Sequence, residues 1–368
     1  MTNKLRQYFP MIHTRQEALA EIEAKPKLKQ EFYSWEKKYR KEFLDFCTGV
    51  KGVKIMYDFI SKEILNPETV PERVEELLSL LIGQQVHIKE VLPNDGTRIS
   101  DESTLVIMDM VVELEDGSIV NLEVQKIGYK FPGARSACYS ADLLLRQYKK
   151  VRSKKGKKFN YTDVKDVYTI VLFEKSPTEF HEFPDTYIHY FEQHSNTGIQ
   201  LNLLQKYLFI SIDIFLKYQQ NIGIQLETRR DAWLAFMGSD DPDIILKVIE
   251  KYPDFKEMYQ QVYEICQNIE EVMGMFSKEL AEMDRNTAQL MIDEMQEDIK
   301  QKEEILKGQD DRIKDQINKL KEQDDRLKEQ DDRLKEQDDR LKEQDDRLKE
   351  QDQVIRELMK KIEQLENK

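Results

Sequence analysis

The sequence has few cysteines and no long apolar run, and both absences narrow the classes of protein it can belong to. Its 368 residues include three cysteines, far apart at Cys47, Cys138 and Cys266. This argues against a disulfide framework or a cysteine-based zinc site and fits a reducing cytoplasm. No apolar stretch approaches the roughly 20 residues of a membrane-spanning helix, and charges interrupt the N-terminus where a signal peptide would be apolar. We therefore expect a soluble, cytoplasmic protein with no membrane contact.

The chain also lacks an excess of positive charge, since its formal net charge is -14 at pH 7. A nucleic-acid-binding surface would therefore have to be local. One run, 149–158, is strongly basic and contains Lys149, Lys150, Arg152, Lys154, Lys155, Lys157 and Lys158. It could neutralise DNA phosphates and make binding salt-dependent, or it could be a solvated helix end, where cations are also favoured. We favour DNA contact.

The first part of the chain, 13–66, is predicted to be helical. Thr14 and Glu17 have the spacing of a capping box at a helix N-terminus. Between residues 28 and 46 the pattern predicts one helical segment, because aromatic residues recur every three or four positions at Phe32, Trp35, Tyr39, Phe43 and Phe46. Such a stripe indicates a core face more often than a ligand-binding surface.

The middle of the chain alternates helices and strands. Pro71 is predicted to begin a helix that Gly83 ends, with a buried face of Val74, Leu77, Leu78 and Leu81. Strands are predicted at 86–92, 166–175, 186–194 and 206–215, the second of them buried on both faces. A turn is predicted at 93–96. A helix should follow Phe131 and run to about residue 152, and helices return over 226–299. The packing surface of the first helix is predicted to contain Ala137, Ala141, Leu144, Leu145 and Tyr148.

A predicted β-hairpin at 108–125 is the centre of the argument, because it contains one carboxylate in each strand. A three-residue loop, 115–117 with Gly117 left-handed, would make paired residue numbers sum to 232. One face is then wholly apolar, with Met108 opposite Val124, Met110 opposite Leu122 and Val112 opposite Val120. A two-residue turn would mix polar and apolar residues on both faces, so the three-residue loop should be preferred.

This register places Asp109 beside Glu123, roughly 5 Å apart at Cβ, with Gln125 on the same face. Two facing carboxylates repel when both are ionised, unless a metal ion, a basic partner or water separates them. Oxygen ligands at this spacing suit Mg²⁺ or Mn²⁺, and such a site can hydrolyse phosphodiesters. From the residues alone, a solvated sheet face is an open alternative.

The residues around this hairpin closely resemble the PD-(D/E)XK nuclease family transposases, also called the recombination-promoting nuclease family. The resemblance runs over about 9–297 and is carried by Asp109, Asp116-Gly117, the run 121–125 and the run 135–139. It also includes the stretches 45–50, 140–148 and 168–177. It implies a restriction-endonuclease-like α-β-β-β-α-β core, in agreement with the predicted order of helices and strands, and Mg²⁺-dependent DNA cleavage.

The resemblance also implies roles for individual residues. Asp109 and Glu123 would be metal ligands, and Gln125 would occupy the position that normally holds a catalytic lysine, with a neutral amide in place of a positive charge. Arg135 and Tyr139 would hold phosphate or the carboxylates, or would tie helix to sheet. Many relatives carry an acidic residue on the first core helix, for which Glu75 is a candidate, although a solvated glutamate is the simpler interpretation.

The C-terminal part, 301–368, is dominated by exact copies of the heptad Lys-Glu-Gln-Asp-Asp-Arg-Leu over 321–348. Seven residues is the coiled-coil period. Leucine or isoleucine fills position a from Leu306 to Ile362, but glutamine fills position d until Leu358 and Leu365. The repeats could form a parallel oligomer or a solvated charged helix, whereas the last two heptads favour association. We expect a homo-oligomer through residues 306–365.

The sequence thus predicts an α/β protein in four parts: an N-terminal helical segment at 1–70, a nuclease-like core with extra strands at 71–225, a helical segment at 226–300 and a coiled-coil-like helix at 301–368. The predicted function is a Mg²⁺- or Mn²⁺-dependent DNA endonuclease. The alternative is a catalytically weak or inactive nuclease-fold protein that binds DNA or acts as a scaffold through its coiled coil.

Overall fold

The structure, a computed structural model, describes residues 3–93, 109–126 and 132–366. The helices in these residues are α1 Lys4–Tyr8, α2 Arg15–Ala24, α3 Pro26–Ser34, α4 Lys37–Cys47, α5 Asp58–Ile64, α6 Pro71–Ile82, α7 Pro132–Lys155, α8 Ile212–Asn221, α9 Arg229–Gly238, α10 Pro242–Lys251, α11 Phe255–Ile265 and α12 Ile269–Glu366. The strands are β1 Ile88–Val91, β2 Met110–Leu114, β3 Ile119–Gln125, β4 Val167–Phe173, β5 Ile188–Phe191 and β6 Gln205–Ser211.

The strands form one mixed sheet in the order β1-β2-β3-β4-β6-β5. The pairs β1–β2, β2–β3 and β5–β6 are antiparallel, whereas β3–β4 and β4–β6 are parallel. Helix α7 connects β3 to its parallel neighbour β4, as parallel pairing requires a crossover. The predicted α/β class is confirmed, and so is the prediction that β4 is buried on both faces, since it lies in the middle of the sheet.

The β2–β3 hairpin has the predicted register. Met110 pairs with Leu122 and Val112 with Val120, so the paired numbers sum to 232. Gly117 has a φ of +90°, in the left-handed region that favours glycine, and it closes the three-residue loop by donating its N–H to the carbonyl of Leu114. The predicted pair that involves Met108 lies outside the described residues, as does the predicted turn beyond residue 93.

The two faces of the hairpin pack against different layers. Val112, Val120 and Leu122 belong to the main hydrophobic core, which includes buried residues of helices α1 to α6 and α8 to α12. The other face packs against α7 through a smaller cluster that contains Val111, Ile119 and Leu143. The carboxylates of the hairpin therefore lie in the layer between the sheet and α7.

The N-terminal helices agree with the sequence except at one position. Thr14 and Glu17 form the predicted capping box, and Pro71 and Gly83 delimit α6, whose four predicted apolar residues are fully buried. The single helical segment predicted over 28–46 is wrong, because the chain breaks into α3 and α4 around Trp35, which has an extended backbone. The aromatic stripe is nevertheless a core face, since Phe32, Phe43 and Phe46 are buried there.

The buried face of α7 differs from the predicted one. Ala137, Ala141 and Leu145 are exposed, whereas Ser136, Tyr139, Ser140, Leu143 and Gln147 are buried. The layer against this helix contains polar groups, and small or hydrogen-bonding side chains fit it: Gln147 donates to the carbonyl of Gly117 and accepts from the N–H of Lys165. The predicted strand at 206–215 is also shorter than expected, because α8 begins at Ile212.

The chain divides into two compact units, Met1–Asp293 and Glu294–Lys368. In the first unit one core extends from Leu5 to Leu280. In the second unit the heptad leucines are exposed, Leu327 by 62% and Leu341 by 62%. No helix in the described part of the chain has the length and apolarity to cross a membrane.

Candidate active site

Asp109 and Glu123 lie side by side at the start of β2 and near the end of β3. The main-chain N–H of Asp109 donates to Glu123 Oε1 at 3.3 Å, and the main-chain N–H of Val124 donates to Asp109 Oδ2 at 2.7 Å. These two bonds hold the carboxylates together as the predicted register requires. Each uses a single oxygen, and no hydrogen bond from the described residues reaches Asp109 Oδ1 or Glu123 Oε2.

Two further polar side chains of β3 share this face of the sheet. Asn121, fully buried, donates its side-chain amide to Glu123 Oε1 at 3.0 Å. Gln125 is 7% exposed, and its Oε1 has no hydrogen-bond partner among the described residues. Successive odd-numbered residues of a strand point to the same face, so Asn121, Glu123 and Gln125 form one row. A buried acceptor without a partner is costly and marks a position where a bound water or ligand would be stabilised.

The environment of Asp109 and Glu123 raises the pKa of both carboxyl groups. Burial raises the pKa of Asp109, and the nearby charge of Asp58 adds to this effect. Burial also raises the pKa of Glu123, and the charge of Asp109 raises it further. The bond from Asn121 and the guanidinium of Arg135 act in the opposite direction on Glu123. The site therefore favours a bound cation, which would offset the repulsion between the two anions.

Arg135 and Tyr139 lie next to the carboxylates, where the sequence predicted them. Both line a narrow cleft together with Glu123 and Gln125. The Arg135 guanidinium lies 5.2 Å from the centre of the Tyr139 ring, and its charge lowers the pKa of both Asp109 and Glu123. The first turns of α7 thus bring a cation to the end of β3.

Lys126 follows Gln125 in sequence but lies in a different environment. Its ammonium group lies 5.1 Å from the centre of the Tyr57 ring and contacts the carboxylate of Glu279 on α12. Burial lowers the pKa of Lys126 to about 8, against the opposing charges of Glu174, Asp58 and Glu282. Alternation of side chains along the strand accounts for the difference, because neighbouring residues point to opposite faces.

Sequence reasoning missed three residues near the pair. Asn121 could have been found, because it is two positions before Glu123 on the same strand face. Asp58 and Lys62 lie on α5, where they form an ion pair at 2.7 Å, and the charges of both affect the pKa of Asp109. No sequence signal linked α5 to the hairpin, because their approach depends on tertiary packing.

Glu75, the sequence-based candidate for an acidic residue on a core helix, lies on α6, and its side chain contacts the start of β1. Its Oε1 accepts from the main-chain N–H of Ile88 at 2.7 Å, and its Oε2 lies 3.2 Å from His87 Nδ1. No hydrogen bond or ion pair within the described residues links it to Asp109 or Glu123. Asp58 is the helical acid whose charge acts on the site.

The basic run at 149–158 occupies the end of α7 and the turn that follows. Three of its seven cations have partners nearby: Lys150 pairs with Glu90 and Glu113, Lys155 pairs with Asp163, and Arg152 contacts the hydroxyl of Tyr148. Within the described residues, no ion pair involves the other four, which are exposed: Lys149, Lys154, Lys157 and Lys158. The run therefore presents about half of its formal charge to solvent.

The carboxylates of the site are compatible with a hard divalent cation that takes few of its ligands from the protein. In the described part of the chain, no group of three or more histidine, cysteine, aspartate or glutamate side chains is arranged to hold a metal ion. Asp109 and Glu123 supply two carboxylates, and Mg²⁺ is commonly held by one or two carboxylates together with waters and substrate phosphate. The residues present therefore fit Mg²⁺ better than zinc, which takes three or four protein ligands.

The hairpin, the crossover helix and the mixed sheet define an α/β fold with two carboxylates side by side on one sheet face. Comparison with known protein families matches residues 55–291 to the PD-(D/E)XK nuclease family transposases. Because this match covers more than half of the chain, the protein belongs to that family, as the sequence resemblance implied. No curated protein and no solved structure matches the chain.

Proposed function

We propose that the protein is a divalent-metal-dependent DNA endonuclease that hydrolyses phosphodiester bonds, of the recombination-promoting or transposase type. The observation that carries this proposal is the pair of half-buried Asp109 and buried Glu123, whose hydrogen bonds engage one oxygen each. Membership of a nuclease family supports DNA as the substrate. A solvated sheet face, the alternative from composition, is not consistent with Glu123 being 2% exposed.

Asp109 and Glu123 would hold Mg²⁺ or Mn²⁺ through their remaining oxygens. When bound, such an ion polarises the phosphate and lowers the pKa of a water molecule. Asn121 fixes the rotamer of Glu123 by donating to Oε1, which keeps Oε2 available. Hydrogen bonds of this kind commonly orient metal-binding carboxylates.

Gln125 and Arg135 would act on the substrate. The unpartnered Oε1 of Gln125 can accept a hydrogen bond from the attacking water and so orient its lone pair. A glutamine lacks the positive charge that a lysine would place there. Arg135, whose charge already acts on both carboxylates, is the cation in position to stabilise negative charge on the phosphate. Tyr139 supports the Arg135 guanidinium through its ring.

The basic run would bind the DNA backbone outside the cleft. Exposed Lys149, Lys154, Lys157 and Lys158 can each neutralise a phosphate and release counterions, which would make affinity fall with salt. Lys150 and Lys155 contribute less, because nearby carboxylates offset part of their charge.

We also propose that the heptad helix joins copies of the protein in parallel. In the repeats, Arg326 at position g and Asp331 at the next position e attract across a parallel pair. An antiparallel pair would place like charges opposite each other. The exposed Ile355 and Leu358 add an apolar seam in the last heptads.

The competing function is a nuclease-fold protein without activity, which binds DNA or acts as a scaffold through the heptad helix. Gln125 favours it, because a neutral amide replaces the positive charge typical of the catalytic position. The two functions differ in one measurable property, the metal-dependent cleavage of DNA.

The deciding experiment measures nicking of supercoiled DNA by the full-length protein with Mg²⁺ and with EDTA. Wild type should nick only with the metal, and Asp109→Asn and Glu123→Gln should be inactive. Glu115→Gln is the matched control, because Glu115 is an exposed acid in the turn of the same hairpin, and it should retain wild-type activity. Absence of nicking by wild type, or equal nicking by Asp109→Asn, would rule out the nuclease function and leave the scaffold.

A further inference from the structure

A cavity of about 850 Å³ lies beside the second half of α7, away from the candidate active site. Its walls include Leu145 and Tyr148 of α7, Tyr161 and Lys165 of the segment before β4, and Asn202 before β6. Sites for organic ligands commonly enclose roughly 300–1,000 Å³. None of the roles proposed for the catalytic site involves this cavity.

Two of the lining residues, Tyr148 and Tyr161, belong to an aromatic cluster with Phe159. Tyr148 and Tyr161 are nearly parallel, with an interplanar angle of 14° and centroids 6.2 Å apart. Phe159 packs edge-on against both rings, at 5.5 Å from Tyr148 and 5.3 Å from Tyr161. Tyr161 is nonetheless 74% exposed. A ring that is held by its neighbours but open to solvent is a surface on which a planar ligand can stack.

The charges and polar groups around the rings suit a nucleotide. Arg152 lies 5.5 Å from the centre of the Tyr148 ring, Lys165 lines the cavity, and the basic run at 149–158 follows Tyr148 directly. The carboxylate of Asp166 accepts from the Asn202 amide at 2.8 Å, and that of Asp116 accepts from Ser118 Oγ at 2.9 Å. Remaining lone pairs on these oxygens can accept hydrogen bonds from the N–H groups of a base, and the neighbouring cations can bind a phosphate.

A DNA strand can also span the distance between Arg135 in the candidate active site and the cavity. Tyr148 lies 13 residues after Arg135 on α7, which corresponds to about 20 Å along a helix. At about 3.4 Å per nucleotide, this is about six nucleotides of one strand. If one phosphate of a strand lies at Arg135, a base about six nucleotides away in the same strand can therefore reach the tyrosines.

We propose that this cavity is an accessory site for an unpaired nucleobase of a single-stranded DNA segment, stacked on Tyr161. This inference rests on the proposed function in one respect, that the protein binds DNA. Stacking requires a base outside the duplex, so the site would favour single-stranded, frayed or flapped DNA over blunt duplex.

Fluorescence anisotropy of full-length protein with a labelled oligothymidine of about 12 nucleotides tests the proposal, in EDTA to prevent cleavage. Tyr161→Ala should weaken single-strand binding about tenfold, whereas Tyr161→Phe, which keeps the ring, should bind as wild type does. Tyr190→Ala is the matched control, since Tyr190 is 60% exposed on β5, and it should have no effect. A blunt duplex of equal length should bind Tyr161→Ala and wild type equally.

The proposal is overturned if Tyr161→Ala keeps wild-type affinity, or if it weakens single strand and duplex to the same extent. Failure of the wild type to bind single-stranded DNA would also overturn it and leave the cavity to a protein or small-molecule ligand. Nicking without Tyr161-dependent binding would reject this site and keep the nuclease function. Tyr161-dependent binding without nicking would support the site and reject the nuclease function.

Discussion

Asn121 donates its side-chain amide to Glu123 Oε1 at 3.0 Å, from a position with no exposure to solvent. The two residues are two positions apart on β3, so their side chains lie on the same face. The bond uses Oε1 of Glu123, and no hydrogen bond from the described residues reaches Oε2. We therefore propose that Asn121 positions Glu123, the proposed metal ligand.

Asn121→Ala should lower the nicking rate by roughly 10- to 100-fold, the usual cost of removing a group that orients a metal ligand. The Mg²⁺ concentration for half-maximal nicking should rise, because Glu123 is no longer held. Thr169→Val is the matched control: Thr169 is fully buried on β4 beside Asn121, and its Oγ1 has no hydrogen bond to described residues. A lower melting temperature with an unchanged Mg²⁺ requirement would contradict the positioning role.

Glu123→Gln should stabilise the metal-free protein by about 1–2 kcal/mol at neutral pH while abolishing cleavage. Burial and the charge of Asp109 raise the pKa of Glu123 to about 8, so the wild-type side chain must bind a proton on folding, whereas a glutamine need not. Thermal unfolding in EDTA measures the first effect. Addition of Mg²⁺ should raise the melting temperature of wild type but not of Glu123→Gln, since only the folded wild type binds the ion. Equal Mg²⁺ shifts in both proteins would mean that the ion binds elsewhere.

Glu113→Gln should destabilise the protein by about 1–2 kcal/mol at neutral pH, since Glu113 is buried and pairs with two half-exposed lysines. Burial alone would raise the pKa of Glu113, but hydrogen bonds from Lys150 and Lys89 and their charges hold it below its usual value. Because the pKa of Glu113 is lower in the folded protein than in the unfolded one, its ionised carboxylate stabilises the fold. This stabilisation is present above the pKa of the unfolded state and is lost as the pH falls through the pKa of the folded state.

Urea unfolding of wild type and Glu113→Gln across pH 2–7 checks this prediction. The two free energies of unfolding should differ at neutral pH and converge in acid. Glu90→Gln provides a comparison, because Glu90 pairs with the same Lys150 but is exposed, and its effect should be smaller. A difference that stays constant with pH would show that the ionisation of Glu113 does not contribute.

Ile355→Asp together with Leu358→Asp should lower the mass of the full-length protein in solution to that of a monomer, because the changes place charge on the apolar seam. Light scattering after size exclusion measures the mass. Lys360→Asp, on the outer face of the same heptad, should leave it unchanged. A monomeric wild type, or a double variant with wild-type mass, would contradict association through this helix.

The strength of the local sequence signals explains what could be predicted. Alternation of apolar residues determined the register of the hairpin, because a shift by one residue would have buried Asp109 or Glu123 in the main core. Pro71, Gly83 and Thr14 marked helix ends through backbone geometry and capping, which act within a few residues. The family resemblance added the roles of Asp109 and Glu123 as proposed ligands.

Long-range packing determined the rest. The break at Trp35, the exposed position of Ala137 and the end of β6 at Ser211 all follow from contacts with elements distant in sequence. Asp58 reaches the site only because α5 packs near the start of β2. Its distance from Asp109 along the chain, about fifty residues, gives no signal in a single sequence.

The sequence by itself determined that two carboxylates share one face of the hairpin, because side chains alternate along each strand and the apolar pattern sets the register between the strands. The tertiary structure decided their chemistry. It buried Glu123 between sheet and helix, brought Arg135 from α7 and Asp58 from α5 within electrostatic range, and left the Gln125 Oε1 without a partner among the described residues. Burial and approach of charge depend on the packing of separate elements, which spacing along the chain does not specify.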